Sequence, residues 1–165
     1  MNTLPLLLGE APSKTGDRYH DFPLSGAVAR VLCDLAGIPP IEGGTRYGRW
    51  TWALYERFDC LNLFQRYHQA TPWSKPLARE RWRARRDEDG PWPVVVMLGR
   101  RVQAAVTPGI KGYDFHEWAY APLTSYVTIP HPSGLNRLLN DAEERVRCGA
   151  TLRLAMSGAA LSEGA

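Results

Sequence analysis

The chain has 165 residues, 44% apolar and 22% charged, which suits one packed core and excludes a disordered polymer. Its 20 Lys and Arg against 17 Asp and Glu leave a net charge of +3, compatible with a polyanionic partner without requiring one. Cys33, Cys60 and Cys148 stand far apart with no C-x-x-C pair, which argues against an iron–sulfur cluster, a zinc knuckle or a disulfide framework and fits a reducing compartment.

In chain order, "TLPLLLG" (3–9) is the first apolar run and reads as a strand buried on both faces. The segment preceding the glycine has neither the basic start nor the apolar length of a signal peptide. "SGAVARVLCDLAG" follows, with Ala27, Val28, Val31, Leu32, Leu35 and Ala36 at helical spacing. Ser25 is its expected cap and Gly37 its expected terminator. "RWTWALYERF" (49–58) predicts a second helix and "DCLNLF" (59–64) a second strand. "PLARERWRARRD" predicts a helix with Pro76 in its first turn, and its basic residues from Lys75 to Arg86 form either a polyanion-attracting face or a solvated one with Trp82 turned inward. "VVVMLG" (94–99) and "SYVTIP" (125–130) complete four strands; "RRVQAAV" (100–106) and "NDAEERVRCGATLRLA" (140–155) complete the helices, the last capped by Asn140.

Apolar strands alternating with helices predict one α/β domain over residues 1–156, with a frayed tail at 157–165. No run is long enough to cross a bilayer, so a cytoplasmic protein is expected. In open parallel sheets, ligands gather at the carboxyl ends of the strands. Those ends here carry "GEAPSK", "NLFQR", "LGRR" and "PHPSGLNR".

The first of these loops is not a nucleotide-binding P-loop. From Gly9 it reads G-E-A-P-S-K-T, without the second glycine, with Lys14 and Thr15 one position early, and with Pro12 removing a backbone donor. A plain strand-to-helix turn is the simpler alternative. Set beside "IPHPSGLNR" (129–137), however, "GEAP" resembles the first of two signature motifs of the uracil-DNA glycosylase superfamily, and "HPSGLN" resembles the second. Between them, "TGDRYHDFPLSGAVARVL" resembles the segment carrying the base-stacking aromatic, and "CLNLF" the strand whose Asn reads the base edge. The likeness spans nearly the whole chain in the right order.

The resemblance implies a three-layer α/β fold with a four-stranded parallel sheet, ordered 2-1-3-4, flanked by helices. It implies a monofunctional DNA glycosylase that acts on single-stranded or duplex DNA, as a monomer, without cofactor or metal. Such an enzyme must extrude its target nucleotide into a pocket before it can cut the N-glycosidic bond. His131 matches the family's donor to the base O2, and Asn62 matches the reader of the base edge. Phe22, with Tyr19 as competitor, matches the stacking platform; Leu135 matches the wedge that enters the duplex. Ser13, Lys14, Gly99, Arg100, Ser133, Asn136 and Arg137 fall on loops expected to meet phosphates or the base. The other histidines, His20, His68 and His116, lack metal-ligand spacing and read as surface or core residues.

The pattern departs from the family at two positions. The fastest members carry a water-orienting Asp where this chain has Ala11, which transfers that role to Glu10, with Asp17 and Asp21 behind it. Strict uracil enzymes carry a Tyr after the motif's Pro, where this chain has Ser13, leaving room for a substituent at pyrimidine C5. The expected substrate is therefore uracil or a 5-modified pyrimidine, in repair or in antiphage defence through excision of hypermodified bases such as glucosylated 5-hydroxymethylcytosine. A catalytically silent DNA-binding relative, and an enzyme of free nucleotides, are the alternatives.

Overall fold

A computed structural model describes residues 2–11, 23–64, 73–107, 114–132 and 137–158. The described elements are β1 (Leu6–Gly9), α1 (Ala27–Ala36), α2 (Gly48–Tyr55), β2 (Asp59–Asn62), α3 (Lys75–Asp89), β3 (Val94–Leu98), α4 (Arg100–Val106), β4 (Trp118–Ala121), β5 (Thr124–Ile129) and α5 (Ala142–Ser157). A 3-10 turn at Arg137–Asn140 precedes α5. All five strands lie in one sheet, ordered β2-β1-β3-β5-β4.

The strands sort their side chains with period two. Leu7, Val94, Val96, Leu98, Val127 and Ile129 enter one core with the buried residues of α1, α2 and α5. Leu6, Leu8, Val95 and Met97 enter a second core with Trp82 of α3 and Val102 of α4. The result is a three-layer α/β arrangement. β1 and β3 are buried at every position, because both of their faces are covered.

The sheet corrects the sequence expectation in number and direction. It has five strands, not four, and it is mixed, not all parallel. β2, β1, β3 and β5 are mutually parallel, while β4 pairs antiparallel with β5, Trp118 opposite Val127 and Ala121 opposite Thr124. β4 adds an edge strand beside β5, turning back through Pro122 and Leu123.

Helix boundaries also shift. Gly26, not Ser25, is the residue before α1, and it makes no side-chain cap; its N–H donates to Thr51 Oγ1 at 3.2 Å instead. Gly37 ends α1 at φ 74°, a left-handed conformation open to glycine. Asp141, not Asn140, caps α5, its Oδ1 accepting from the Glu144 N–H at 2.9 Å. α5 continues through Ser157, which the sequence assigned to the tail; residues 159–165 lie outside the described residues. α5 and α1 approach closely at Gly149, where a Cβ would strike the Leu35 carbonyl oxygen. On the opposite layer Trp82 stacks on Trp92, centroids 6.1 Å apart, and the Trp92 indole donates to Asp59 Oδ2 at 2.8 Å. These contacts fix where β2 begins and therefore where its last residue, Asn62, emerges.

Candidate active site

Four parallel strands ending on one edge bring four loops together. Gly9 stands opposite Asn62 in the register of β1 and β2, and Leu98 stands opposite Ile129 in that of β3 and β5. The pairing runs on past the strands: Leu63 N–H donates to the Gly9 carbonyl at 3.0 Å and Phe64 N–H to the Glu10 carbonyl at 2.9 Å. The backbone carrying Glu10 is therefore held as firmly as the strand before it.

Gly9 is required by what surrounds it. A Cβ there would strike the Asn62 carboxamide oxygen and lie 2.7 Å from a methyl of Leu24. The carboxamide packs where a side chain on β1 would otherwise stand. Its Oδ1 is buried, and among the described residues no group donates to it. A buried acceptor left unmet costs about 1–3 kcal/mol, so this atom is poised to accept a hydrogen bond from a water or from a ligand that displaces it.

At the next strand tips, Gly99 (φ 93°) and His131 are neighbours: a Cβ on Gly99 would lie 3.3 Å from the His131 Cβ. The Gly99 N–H donates to the Ile129 carbonyl at 2.9 Å, which fixes the turn that presents His131. Burial pushes the His131 imidazole below the ordinary histidine value, and the Glu10 carboxylate acts against that shift. The two side chains thus share an electrostatic neighbourhood, with His131 favoured in its neutral form. Glu10 itself accepts from Arg101 Nη1 at 3.1 Å, its side chain 19% exposed against 63% for the arginine. Ala11 packs, partly buried, against the apolar cluster beneath α3 and α4.

The expected site residues divide as follows. Glu10, Ala11, Asn62, Gly99, Arg100 and His131 all lie at the carboxyl edge of the sheet. Arg100, expected at a phosphate, donates instead to Asp114 Oδ1 at 3.1 Å and Gln103 Oε1 at 3.0 Å and lies 4.2 Å over the Phe115 ring. Arg137 is exposed at the start of the 3-10 turn. Ser13, Lys14, Asp17, Tyr19, Asp21, Phe22, Ser133, Leu135 and Asn136 lie outside the described residues, as do His20 and His68.

The basic helix follows the packing alternative more than the polyanion one. Trp82 is buried; Arg79 donates to the Ala104 carbonyl at 3.4 Å; Arg81 donates to the Leu63 carbonyl at 3.5 Å and covers the Phe64 ring at 4.7 Å. Arg85 and Arg86 pair with Asp89 and Asp87 of the same helix.

Two features escaped sequence reasoning. Arg101, the second arginine of the quoted "LGRR", holds Glu10 from 91 positions away. A cavity of about 410 Å³ lies between the start of α1 and α2, lined by Ser25, Gly26, Arg46, Tyr47 and Trp52 among others. It begins one residue beyond Leu24, which touches Gly9. Tyr47 and Trp52 are 47% and 50% exposed there, and the Arg46 guanidinium lies 5.7 Å over the Tyr47 ring. The doublet of arginines and the "RYGRWTW" run were the available signals. No helix among the described residues is long and apolar enough to cross a membrane. No family model and no curated protein matches this chain.

Proposed function

We propose that this chain is a monofunctional DNA glycosylase of the uracil-DNA glycosylase type, which extrudes a pyrimidine nucleotide from DNA, hydrolyses its N-glycosidic bond and leaves an abasic site. The observation that carries the reading is the buried, unmet Asn62 oxygen on the same sheet edge as Glu10 and His131. A carboxamide offers an acceptor and a donor side by side, which complements the N3–H and O4 of uracil or, turned over, the N3 and N4 of cytosine. The relative order of the four parallel strands supports the corresponding fold assignment, with β4 as an added edge.

The chemistry follows from where charge develops. As the glycosidic bond breaks, the sugar gains positive charge and the departing base gains negative charge. A neutral His131 donates an N–H to the base O2 and becomes most strongly bound when that oxygen is anionic. Glu10, oriented by Arg101, accepts a hydrogen bond from the attacking water and directs its lone pair at the sugar. Phe22 or Tyr19 stacks on the base, and Ser13 leaves C5 unobstructed, which admits 5-substituted pyrimidines. By the resemblance, Lys14, Gly99, Ser133, Asn136 and Arg137 are assigned to the strand's phosphates and Leu135 to the vacated stack. The aromatic and arginine-lined cavity beside α2 supports contact with unpaired nucleotides, since base–aromatic stacking is worth about 1–3 kcal/mol per base. The protein acts as a cytoplasmic monomer, in repair or in defence against modified phage DNA.

Ala11 favours a second reading. Its apolar seat leaves no carboxylate at the third motif position, as in a relative that binds DNA without cutting it. Single-stranded and duplex oligonucleotides containing uracil, 5-hydroxymethyluracil or glucosylated 5-hydroxymethylcytosine, treated with alkali after incubation, separate the two. Scission appearing only after alkali is the expected result. Tight binding with every base retained establishes the second reading, and release from free nucleotides but not from DNA refutes both.

A further inference from the structure

His116, Glu144 and Cys148 form a second cluster of titratable side chains, distinct from Glu10, Asn62 and His131. Each offers one ligand atom, and the three atoms lie within 4.8 Å of one another. His116 comes from the segment leading into β4, where it is held at φ 70°, an unusual conformation for a residue with a Cβ. Glu144 and Cys148 stand one turn apart on α5, so both face the same side of the helix.

The hydrogen bonds around His116 resemble those around a metal-ligating imidazole. Nδ1 lies 2.8 Å from Thr151 Oγ1, and that hydroxyl donates its single proton to the Arg147 carbonyl at 3.0 Å. With the hydroxyl turned to that carbonyl, Thr151 is the acceptor and the tautomer is the one in which Nδ1 carries the hydrogen. Nε2, the remaining ring nitrogen, points at Glu144 Oε1 from 2.8 Å. In that tautomer a cation, whether a proton or a metal ion, joins the Nε2 lone pair to the carboxylate oxygen. A proton satisfies two of the three donors, whereas a divalent ion satisfies all three, including the thiol of Cys148. A second ring nitrogen anchored to a fixed acceptor is also the usual support for a histidine bound to metal.

We infer that His116 Nε2, Glu144 Oε1 and Cys148 Sγ form a binding site for a borderline divalent cation of the zinc class. Nitrogen, carboxylate and thiolate together suit Zn²⁺ better than Mg²⁺ or Ca²⁺, which prefer oxygen throughout. Bonds of about 2.0 Å to N and O and about 2.3 Å to S set ligand atoms roughly 3–4 Å apart, so Nε2 and Oε1, now 2.8 Å apart, must open by about half an ångström to admit the ion. The His116 and Glu144 side chains are 15% and 18% exposed, which gives the ion a route in from solvent. On binding, the Cys148 S–H proton and the proton shared by Nε2 and Oε1 pass to solvent, and the ion takes both places. Cys148 is fully buried, and its burial and the Glu144 carboxylate push the thiol up to about 12, a preference that a cation at the centre reverses.

Such an ion tethers the 114–117 segment to α5. That segment donates the His116 N–H to the Thr128 carbonyl at 2.8 Å, three residues before His131, and its Asp114 holds Arg100. The cluster contains none of the residues assigned to the reaction above, so its role is structural.

The test uses the full chain stripped of metal and titrated with Zn²⁺ against a chromophoric chelator, then with Co²⁺ followed by absorption. One equivalent should bind, with proton release, and Co²⁺ should give a thiolate charge-transfer band that vanishes in Cys148→Ser. Thr151→Val should weaken binding about 10–100-fold through loss of the imidazole anchor. Should Cys148→Ser fail to fold, Glu144→Gln, altered at a partly exposed carboxylate, must lower affinity by tenfold or more. Absence of stoichiometric binding, or a cobalt spectrum without thiolate character, overturns the inference.

Discussion

Replacing Asn62 by Leu separates a functional carboxamide from a structural one. In a structural role the amide would be matched by protein groups, and its loss would leave partners unmet, destabilising the chain by about 1–3 kcal/mol. Here the buried Oδ1 has no donor among the described residues, so an apolar side chain of similar size removes a desolvation cost and leaves nothing orphaned in its place. The expected outcome is unchanged or increased stability, by up to about 1 kcal/mol, or about 2–4 °C in Tm for a chain of this size. Activity should move the opposite way. Two polar groups on the base edge would go unmet at about 1–3 kcal/mol each, which lowers kcat/KM roughly 10²–10⁴-fold. Urea denaturation followed by circular dichroism, alongside base release from a substrate oligonucleotide, reads both quantities. A drop in stability of more than about 1 kcal/mol with activity retained refutes the reasoning, because it would make Asn62 a structural residue.

Further expectations concern the surrounding groups. Gly9→Ala should destabilise by about 1–3 kcal/mol through overpacking against Asn62 and Leu24, and should impair base release more than binding; urea midpoints and excision rates check this. His131 should titrate below the ordinary histidine value of about 6.5, because burial opposes its charge. Since the folded value is depressed, the stability contributed by neutral His131 is full above about pH 6.5 and is lost as pH falls through the folded value. Glu10→Gln removes the opposing carboxylate and should move the His131 midpoint lower still, as followed by imidazole proton NMR. Cys33 is buried and its thiol is pushed up to about 12, as is that of Cys148, while burial also raises Cys60. In a metal-free native chain at pH 8, Cys33 and Cys148 should therefore react with a thiol reagent only as fast as the chain unfolds; rapid labelling of either would contradict the described packing.

What the sequence disclosed followed from which signals are local. β1 and β3 are continuous apolar runs because helices cover both faces, so they stand out without any knowledge of partners. β4 does not: "WAYA" has four residues, with Tyr120 and Ala121 exposed, and it is a strand because β5 lies beside it. The caps moved by one residue because Asp141 is as good a cap as Asn140, and neighbouring sequence does not choose between them. Glu10, Asn62 and His131 were singled out through the resemblance, and each lies at or just beyond a strand's carboxyl end. The Arg101–Glu10 pair was not, since it joins parts of the chain 91 residues apart. His116 has no spacing motif with Glu144 and Cys148; only the packing of the β4 segment on α5 brings the three together.

Release of free base from DNA by the unaltered chain and by His131→Ala tests the central claim most directly. The account requires that the unaltered chain liberate a pyrimidine and leave an alkali-labile site, and that the variant bind the same oligonucleotide with similar affinity while liberating almost none. No base liberated from any uracil-containing or 5-modified DNA, or undiminished release by the variant, would contradict it.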